Sequence, residues 1–450
     1  MKQFTITTCV WGDLHIDAMI GSMFPTLLAL GNLPTLAQAF DVTYRIFTTQ
    51  RDAGRLAEHP LVGAIRNHVK VQFIVATHEK QPDPTHHVHW YHQAIQDARA
   101  NHSLVAFLPP DVAWSGVTLG NMGRRMAEGK LGTAMPYIRV VTETILPAIE
   151  ALAKASDGSL DIAAGDLVRL AVEHLHPLSA SVMEGSRHGR PSLEKLWRVA
   201  DEGFLLRHMV RELFSFDPAR MQISHLWYAG AGVRPEDIHI VVDSDDMFML
   251  SFAPLRKDVP LFLQDHPIDD IDVARSSLHP LNDTPLNMHF ARHRVRLHYG
   301  AITPERWRRE EAKSDVVFKR AMVAREAIQI WTAIRSTGRC TIASQFLATG
   351  LFASPMARRW PRDEPLTILV PTDAAFAGSP PWHLISAQCR DSLYRWLLGH
   401  VSAGSYDAAA GLSGRRSLVG APLSHITPAE AFAVSRHTVL LTDQLPVQYG

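Results

Sequence analysis

An α/β fold built on a largely parallel sheet, followed by a smaller α+β domain, is predicted for this chain by three observations. Over the first 150 residues short apolar runs of β type alternate with helical segments, the signature of a parallel sheet with covered faces. The chain has 450 residues, well past the roughly 250–300 at which single cores stop growing, so two domains are expected. A long helical stretch from Thr303 to about Ile334 separates the first series of elements from a second, shorter one.

Taken in order, residues 4–10 read as a strand that stops at Trp11-Gly12-Asp13, after which Ile16, Met19, Ile20 and Met23 recur at helical spacing. Strands follow at Val42 to Thr48 and Val69 to Val75, with helix-forming residues between them. From Thr85 to Asn101, Val88, Tyr91, Ile95 and Ala98 keep a helical period. That helix leads into the apolar run Ser103 to Leu108, which ends in Pro109-Pro110-Asp111. Asp111 therefore falls just past the carboxyl end of a buried strand, where loops of open parallel sheets bind ligands. A further helix is expected at Asp166 to Leu175, and Ile238 to Val242 is a short strand ending in Asp243-Ser244-Asp245-Asp246. Alternation from Arg294 to Tyr299 gives the next strand one basic face. Thr303-Pro304-Glu305 opens the long helix with a capping residue, a first-turn proline and an acid at the positive end of the helix dipole.

Charge and cysteine content narrow the function classes. Basic and acidic residues balance at 45 each, which lacks the footprint of a protein that neutralises many phosphates, so nucleic acid is not an expected partner. The three cysteines Cys9, Cys340 and Cys389 are widely spaced and fit neither a disulfide framework nor a zinc site, so a reducing, cytoplasmic location is expected. No run approaches the roughly 18–20 apolar residues of a transmembrane span, and a soluble chain is expected. A Gly-any-Ser-any-Gly elbow, a Walker phosphate loop and a dinucleotide fingerprint after the first strand are all absent from the sequence.

The candidate chemistry lies at strand ends. Asp111 is either a ligand-binding carboxylate or a loop aspartate capping the next turn. Asp243 and Asp245 have the spacing of paired carboxylates for a metal or a general base, and the bland alternative is a solvated acidic turn. Arg292, Arg294 and Arg296, with His293 and His298, offer paired donors suited to a diphosphate, or else charges that protect an edge strand. His86, His89 and His92 share part of a helix face, but a metal site needs ligands converging from other elements, which local histidine richness does not supply, and no metal site is expected there.

Through Tyr44-Arg-Ile-Phe-Thr-Thr49, Phe107-Leu-Pro-Pro-Asp-Val-Ala-Trp-Ser-Gly116 and the order strand, loop, helix, residues 1–150 resemble the nucleotide-binding half of A-type glycosyltransferases. The resemblance implies a Rossmann-like, nucleotide-diphosphosugar transferase-type sheet over residues 1–302. It implies that Thr8, Cys9, Val10, Trp11 and Gly12 hold a nucleobase and that Thr48 and Thr49 lie near the nucleoside. It also implies a divalent cation, Mn or Mg, at the donor diphosphate. That family carries an Asp-any-Asp motif where this chain has only Asp111. Asp111 with a late histidine, His293 or His298, is the metal position by analogy, Arg294 and Arg296 face the diphosphate, and Asp243 with Asp245 is the alternative metal or catalytic pair.

Beyond the helical linker 303–334, residues 335–450 resemble a fasciclin-like domain. Leu366-Thr-Ile-Leu-Val-Pro-Thr-Asp-Ala-Ala-Phe376 matches its first signature box and Leu398-Gly-His-Val-Ser-Ala-Gly404 its second. The resemblance implies an opening helix at 343–351, a later strand pair including Ser417 to Gly420, a closing strand over 436–443, and His400 as a buried hydrogen-bonding residue. Two readings stand at this stage. One is an enzyme moving a sugar from a nucleotide-sugar donor to an unknown acceptor. The other is a non-catalytic, adhesion-type scaffold that recruits a protein partner through the fasciclin-like part.

Overall fold

The computed structural model describes residues 1–75, 86–190, 192, 194–208, 213–221, 233–255, 263, 267–278, 285–351, 364–376 and 390–445. Two compact units divide the chain: Met1–Ile268 with His279–Ser314, and Asp269–Leu278 with Asp315–Gly450. The helix Pro304–Ser336 belongs to the first unit up to Ser314 and to the second from Asp315. Among the described residues no helix is long and apolar enough to cross a membrane.

The first unit opens with β1 (Gln3–Cys9), β2 (Asp41–Thr48), β3 (Lys70–Val75) and β4 (Leu104–Phe107). It continues through β5 (Val112–Trp114), β6 (Gly132–Ala134), β7 (Tyr137–Val141), β8 (Glu194–Arg198) and β9 (Gly203–His208). β10 (Ser215–Phe216), β11 (Ile238–Ile240), β12 (Met249–Ala253) and β13 (Val295–His298) complete it. Seven of these form a mixed, mostly parallel sheet in the order β11-β6-β10-β4-β1-β2-β3, so the α/β class is correct. β1 to β4 run parallel, with Phe4 opposite both Val42 and Leu104. β10 is antiparallel to β4 and β6, and β11 returns parallel to β6. It follows that β1, β4 and β11 all end on the same edge of the sheet.

Why these segments are strands is visible in their burial. β4 is apolar and buried at every position, the pattern of a strand covered on both faces. Helices lie where the sequence has caps: Thr49 accepts the Asp52 amide at the start of Gln50–Ala57, and Pro60 occupies the first turn of Pro60–Arg66. The expected helix after β1 begins at Asp13 but passes through a π-helical turn, Met19–Met23, before Phe24–Leu27. Buried Asn32 ties this region together, donating to the Thr26 (2.8 Å) and Ser115 (2.9 Å) carbonyls and accepting from the Leu119 amide (2.8 Å). Two smaller sheets, β5-β12-β7 and β13-β9-β8, occupy the rest of the unit.

The second unit carries β14 (Leu366–Pro371), β15 (Val401–Ala403), β16 (Glu430–Val434) and β17 (His437–Thr442) in the order β15-β14-β17-β16. β14 runs parallel to β17 and antiparallel to β15. Phe346, Phe376 and Trp396 pack beside this sheet in one apolar cluster. His400 is buried, with Nδ1 2.7 Å from the Trp396 carbonyl, and because a carbonyl only accepts, that nitrogen carries the proton. Residues 417–420, expected as strand, form a turn closed by the Gly420 amide on the Ser417 carbonyl (2.8 Å), with Gly420 at φ +84°. The apolar pair Leu418-Val419 gives way there to a glycine in the left-handed region. Cys389 lies outside the described residues.

Candidate functional site

At the carboxyl edge of the large sheet, β1 is flanked by β2 on one side and β4 on the other. That reversal of strand order lies at the end of the sheet where open parallel sheets bind ligands. The loop after β1 is fixed from below. Gly12, at φ +79°, donates its amide to Asp52 Oδ2 (3.0 Å), which also accepts the Thr49 hydroxyl (3.0 Å). Asp52 thus joins the loops after β1 and β2; the spacing Thr49-x-x-Asp52, a helix-start pattern, is the signal that could have singled it out.

Several residues expected to hold a nucleoside face inward here. The Thr8 hydroxyl is buried between Tyr44 Oη (2.9 Å) and the Leu108 carbonyl (2.9 Å). Thr48 is fully buried, and its hydroxyl has no hydrogen-bond partner among the described residues. Burial pushes the Cys9 thiol well up, against a hydrogen bond from Tyr91. Trp11 remains half-exposed, edge-on to Trp90 with ring centroids 5.4 Å apart.

Asp111 is half-buried after β4, its carbonyl accepting the Phe252 amide (2.8 Å). Burial raises its carboxyl above the ordinary range, while the nearby His15 and Arg139 side chains work in the opposite direction. Neither His15 nor Arg139 was singled out from the sequence. The arginine within the otherwise apolar run Tyr137 to Val141 was the available signal for the second.

A separate cluster forms beyond the end of β11. The segment 242–244 runs beside β13: the Arg296 amide donates to the Val242 carbonyl (2.9 Å) and the Ser244 amide to the Arg296 carbonyl (2.9 Å). The His298 amide donates to buried Ser244 Oγ (3.3 Å). This register aims His298 at the acidic turn, with Nε2 3.3 Å from Asp243 Oδ1 and 3.9 Å from Asp245 Oδ2. One ligand atom from each of Asp243, Asp245 and His298 lies within 4.8 Å of the others.

Ligands about 2.1 Å from one octahedral ion are about 3 Å apart when cis and about 4 Å when trans, so the two histidine distances fit one ion. The donor set, two carboxylates and an imidazole, suits Mn²⁺ better than Mg²⁺, which prefers oxygen ligands alone. The hydrogen bond that His298 donates to Asp243 and the charges of both aspartates raise the His298 pKa despite partial burial, and a backbone bond at Gly300 also holds the ring. Partial burial opposes ionisation of Asp243, but His298, the Asp245 amide and Arg296 together hold its carboxyl below the usual range.

Of the sequence candidates, Asp243, Asp245 and His298 are brought together, while Asp111 has its own neighbours. Arg296 packs over Trp307 (5.2 Å) and donates two hydrogen bonds to Glu311 Oε1 (3.0 and 2.7 Å). Arg294 is exposed before β13. Asp246, the third acid of the turn, pairs with His239 (2.7 Å) on β11. Compared with protein-family models and with curated proteins, the chain matches none.

Proposed function

We propose that the first unit is a glycosyltransferase-like enzyme that moves a sugar from a nucleotide-sugar donor to an acceptor, with a divalent cation held by Asp243, Asp245 and His298. The observation that carries this reading is the convergence of those three ligand atoms, from two separate segments, on the sheet edge where β1, β4 and β11 end. The strand-order reversal beside β1 and β4 supports a donor site on the same edge. A bound cation would neutralise charge on a departing diphosphate. In this reading Asp243 and Asp245 supply oxygen ligands, His298 a nitrogen ligand held by Gly300, and Asp111, its carboxyl raised by burial, serves as the base toward an acceptor hydroxyl.

A second reading keeps the same fold without turnover. It is favoured by the inward-facing side chains of Thr8 and Thr48 and by the engagement of Arg296 with Glu311, which withdraw groups a donor would use. In that reading the second unit, fasciclin-like in its two boxes and its buried His400, recruits a protein partner.

Calorimetric titration of the full chain with a panel of sugar nucleotides, with and without Mn²⁺, separates the two. The enzyme reading expects at least one donor whose binding requires Mn²⁺ and weakens at least tenfold in Asp243→Asn and His298→Ala. Indifference to every donor, with and without the ion, leaves the scaffold reading.

A further inference from the structure

Beside the sheet of the second unit lies a cavity of about 20 Å³, walled by Ile330, Leu347, Ile368, Val370, Trp396 and His400, among others. Its walls come from the second-unit part of the long helix, the helix Thr341–Leu351, β14 and the helix Arg390–Gly399 that carries Trp396. Size comes first. An apolar cavity of about 150 Å³ takes one benzene ring, so no organic ring enters here, whereas one water needs only about 10–15 Å³. Such a cavity stays dry when its lining is wholly apolar and holds a water when two or more polar groups are there to bind it. Ile330, Leu347, Ile368 and Val370 are aliphatic, so Trp396 and His400 decide.

Each of these two side chains leaves one polar atom unmatched. Trp396 is 5% exposed and His400 4%, and neither Nε1 of Trp396 nor Nε2 of His400 has a hydrogen-bond partner among the described residues. Their chemistry is opposite. The indole N–H only donates. The imidazole proton sits on Nδ1, where it is donated to the Trp396 carbonyl (2.7 Å), so in the neutral ring Nε2 only accepts. The two rings lie 4.1 Å apart between centroids, inclined at 50°. A molecule that accepts from one nitrogen and donates to the other completes both, and with hydrogen bonds of about 3 Å it joins partners up to about 6 Å apart. Water is the smallest molecule with both capacities. A buried donor or acceptor without a partner loses its full solvation, and ordering one water costs less than leaving two such atoms unmatched.

We infer that this cavity is a binding site for a single water, which accepts from Nε1 of Trp396 and donates to Nε2 of His400. The His400 carbonyl accepts the Leu369 amide (2.7 Å), so the water holds the imidazole in one tautomer at the point where the chain passes from helix to β15 beside β14. The test is a crystal structure of the full chain at a resolution that shows ordered water, which requires no variant. Denaturant unfolding of Val370→Ile, which adds one methylene to the cavity wall, accompanies it. One compact peak about 2.7–3.2 Å from both nitrogens is expected. Val370→Ile is expected to lose that peak and to unfold at a lower denaturant midpoint than the wild type, because expelling the water strands two polar atoms. An empty cavity in the map, or density too large for one water, overturns the inference. So does a raised midpoint in Val370→Ile, the result of filling a dry void.

Discussion

His400 shows how a single buried group sets the pH response of the second unit. Burial pushes its pKa down to about 4, because the interior disfavours the charged ring, and the hydrogen bond to Trp396 offsets this only in part. The unfolded chain, with an ordinary histidine near 6.5, binds a proton that the folded chain refuses, so stability is complete above about pH 6.5 and declines as pH falls toward 4. The cost is on the order of 2 kcal/mol between pH 7.5 and 5. Denaturant midpoints at those two pH values should fall more for the wild type than for His400→Met, and equal falls would show that His400 is not the group responsible. Nε2 of His400 and Nε1 of Trp396 are both buried without a hydrogen-bond partner among the described residues, so this corner is already costly before any proton arrives.

At the scale of elements, packing between backbones rather than side-chain chemistry limits what the chain tolerates. Gly31 lies against the Gly116 backbone, where an added Cβ would come within 2.2 Å of the carbonyl oxygen. Gly63, in the helix Pro60–Arg66, has nothing within 4 Å of that position and needs no left-handed backbone. Gly31→Ala should therefore destabilise by about 1–3 kcal/mol and Gly63→Ala should stabilise by up to about 1 kcal/mol. Thermal unfolding measures both, and a neutral Gly31→Ala would mean that this loop yields freely.

What was legible in the sequence follows from the same distinction. The strands β1, β2, β3 and β4 could be read because continuous or alternating apolar residues are confined to one period, and the long helix could be read from its cap and proline. The two-residue β10 takes both its partners, β4 and β6, from distant segments, so local pattern says little about it, and the hairpin of β8 with β9 lies in a mixed stretch without clean alternation. The acidic turn and the basic strand were each visible alone. Their meeting, which brings Asp243 and Asp245 to His298, depends on the register of 242–244 beside β13, and no periodicity encodes that. Thr8 and Thr48 illustrate the reverse: both occupy strand ends as expected, yet the strand pleat turns their hydroxyls into the core.

For the whole molecule, the functional account rests on the edge where the parallel strands end, with Asp111 near the strand-order reversal and the Asp243–Asp245–His298 cluster beyond β11. A metal site of this kind makes a demanding claim, because three side chains must act as one. Crystals of the full chain grown with Mn²⁺ and measured at the manganese absorption edge test it most directly. The account predicts one anomalous peak about 2.0–2.3 Å from a carboxylate oxygen of Asp243, one of Asp245 and Nε2 of His298. A map with no peak among these three residues, or with the ion bound at Asp111 alone, would contradict it.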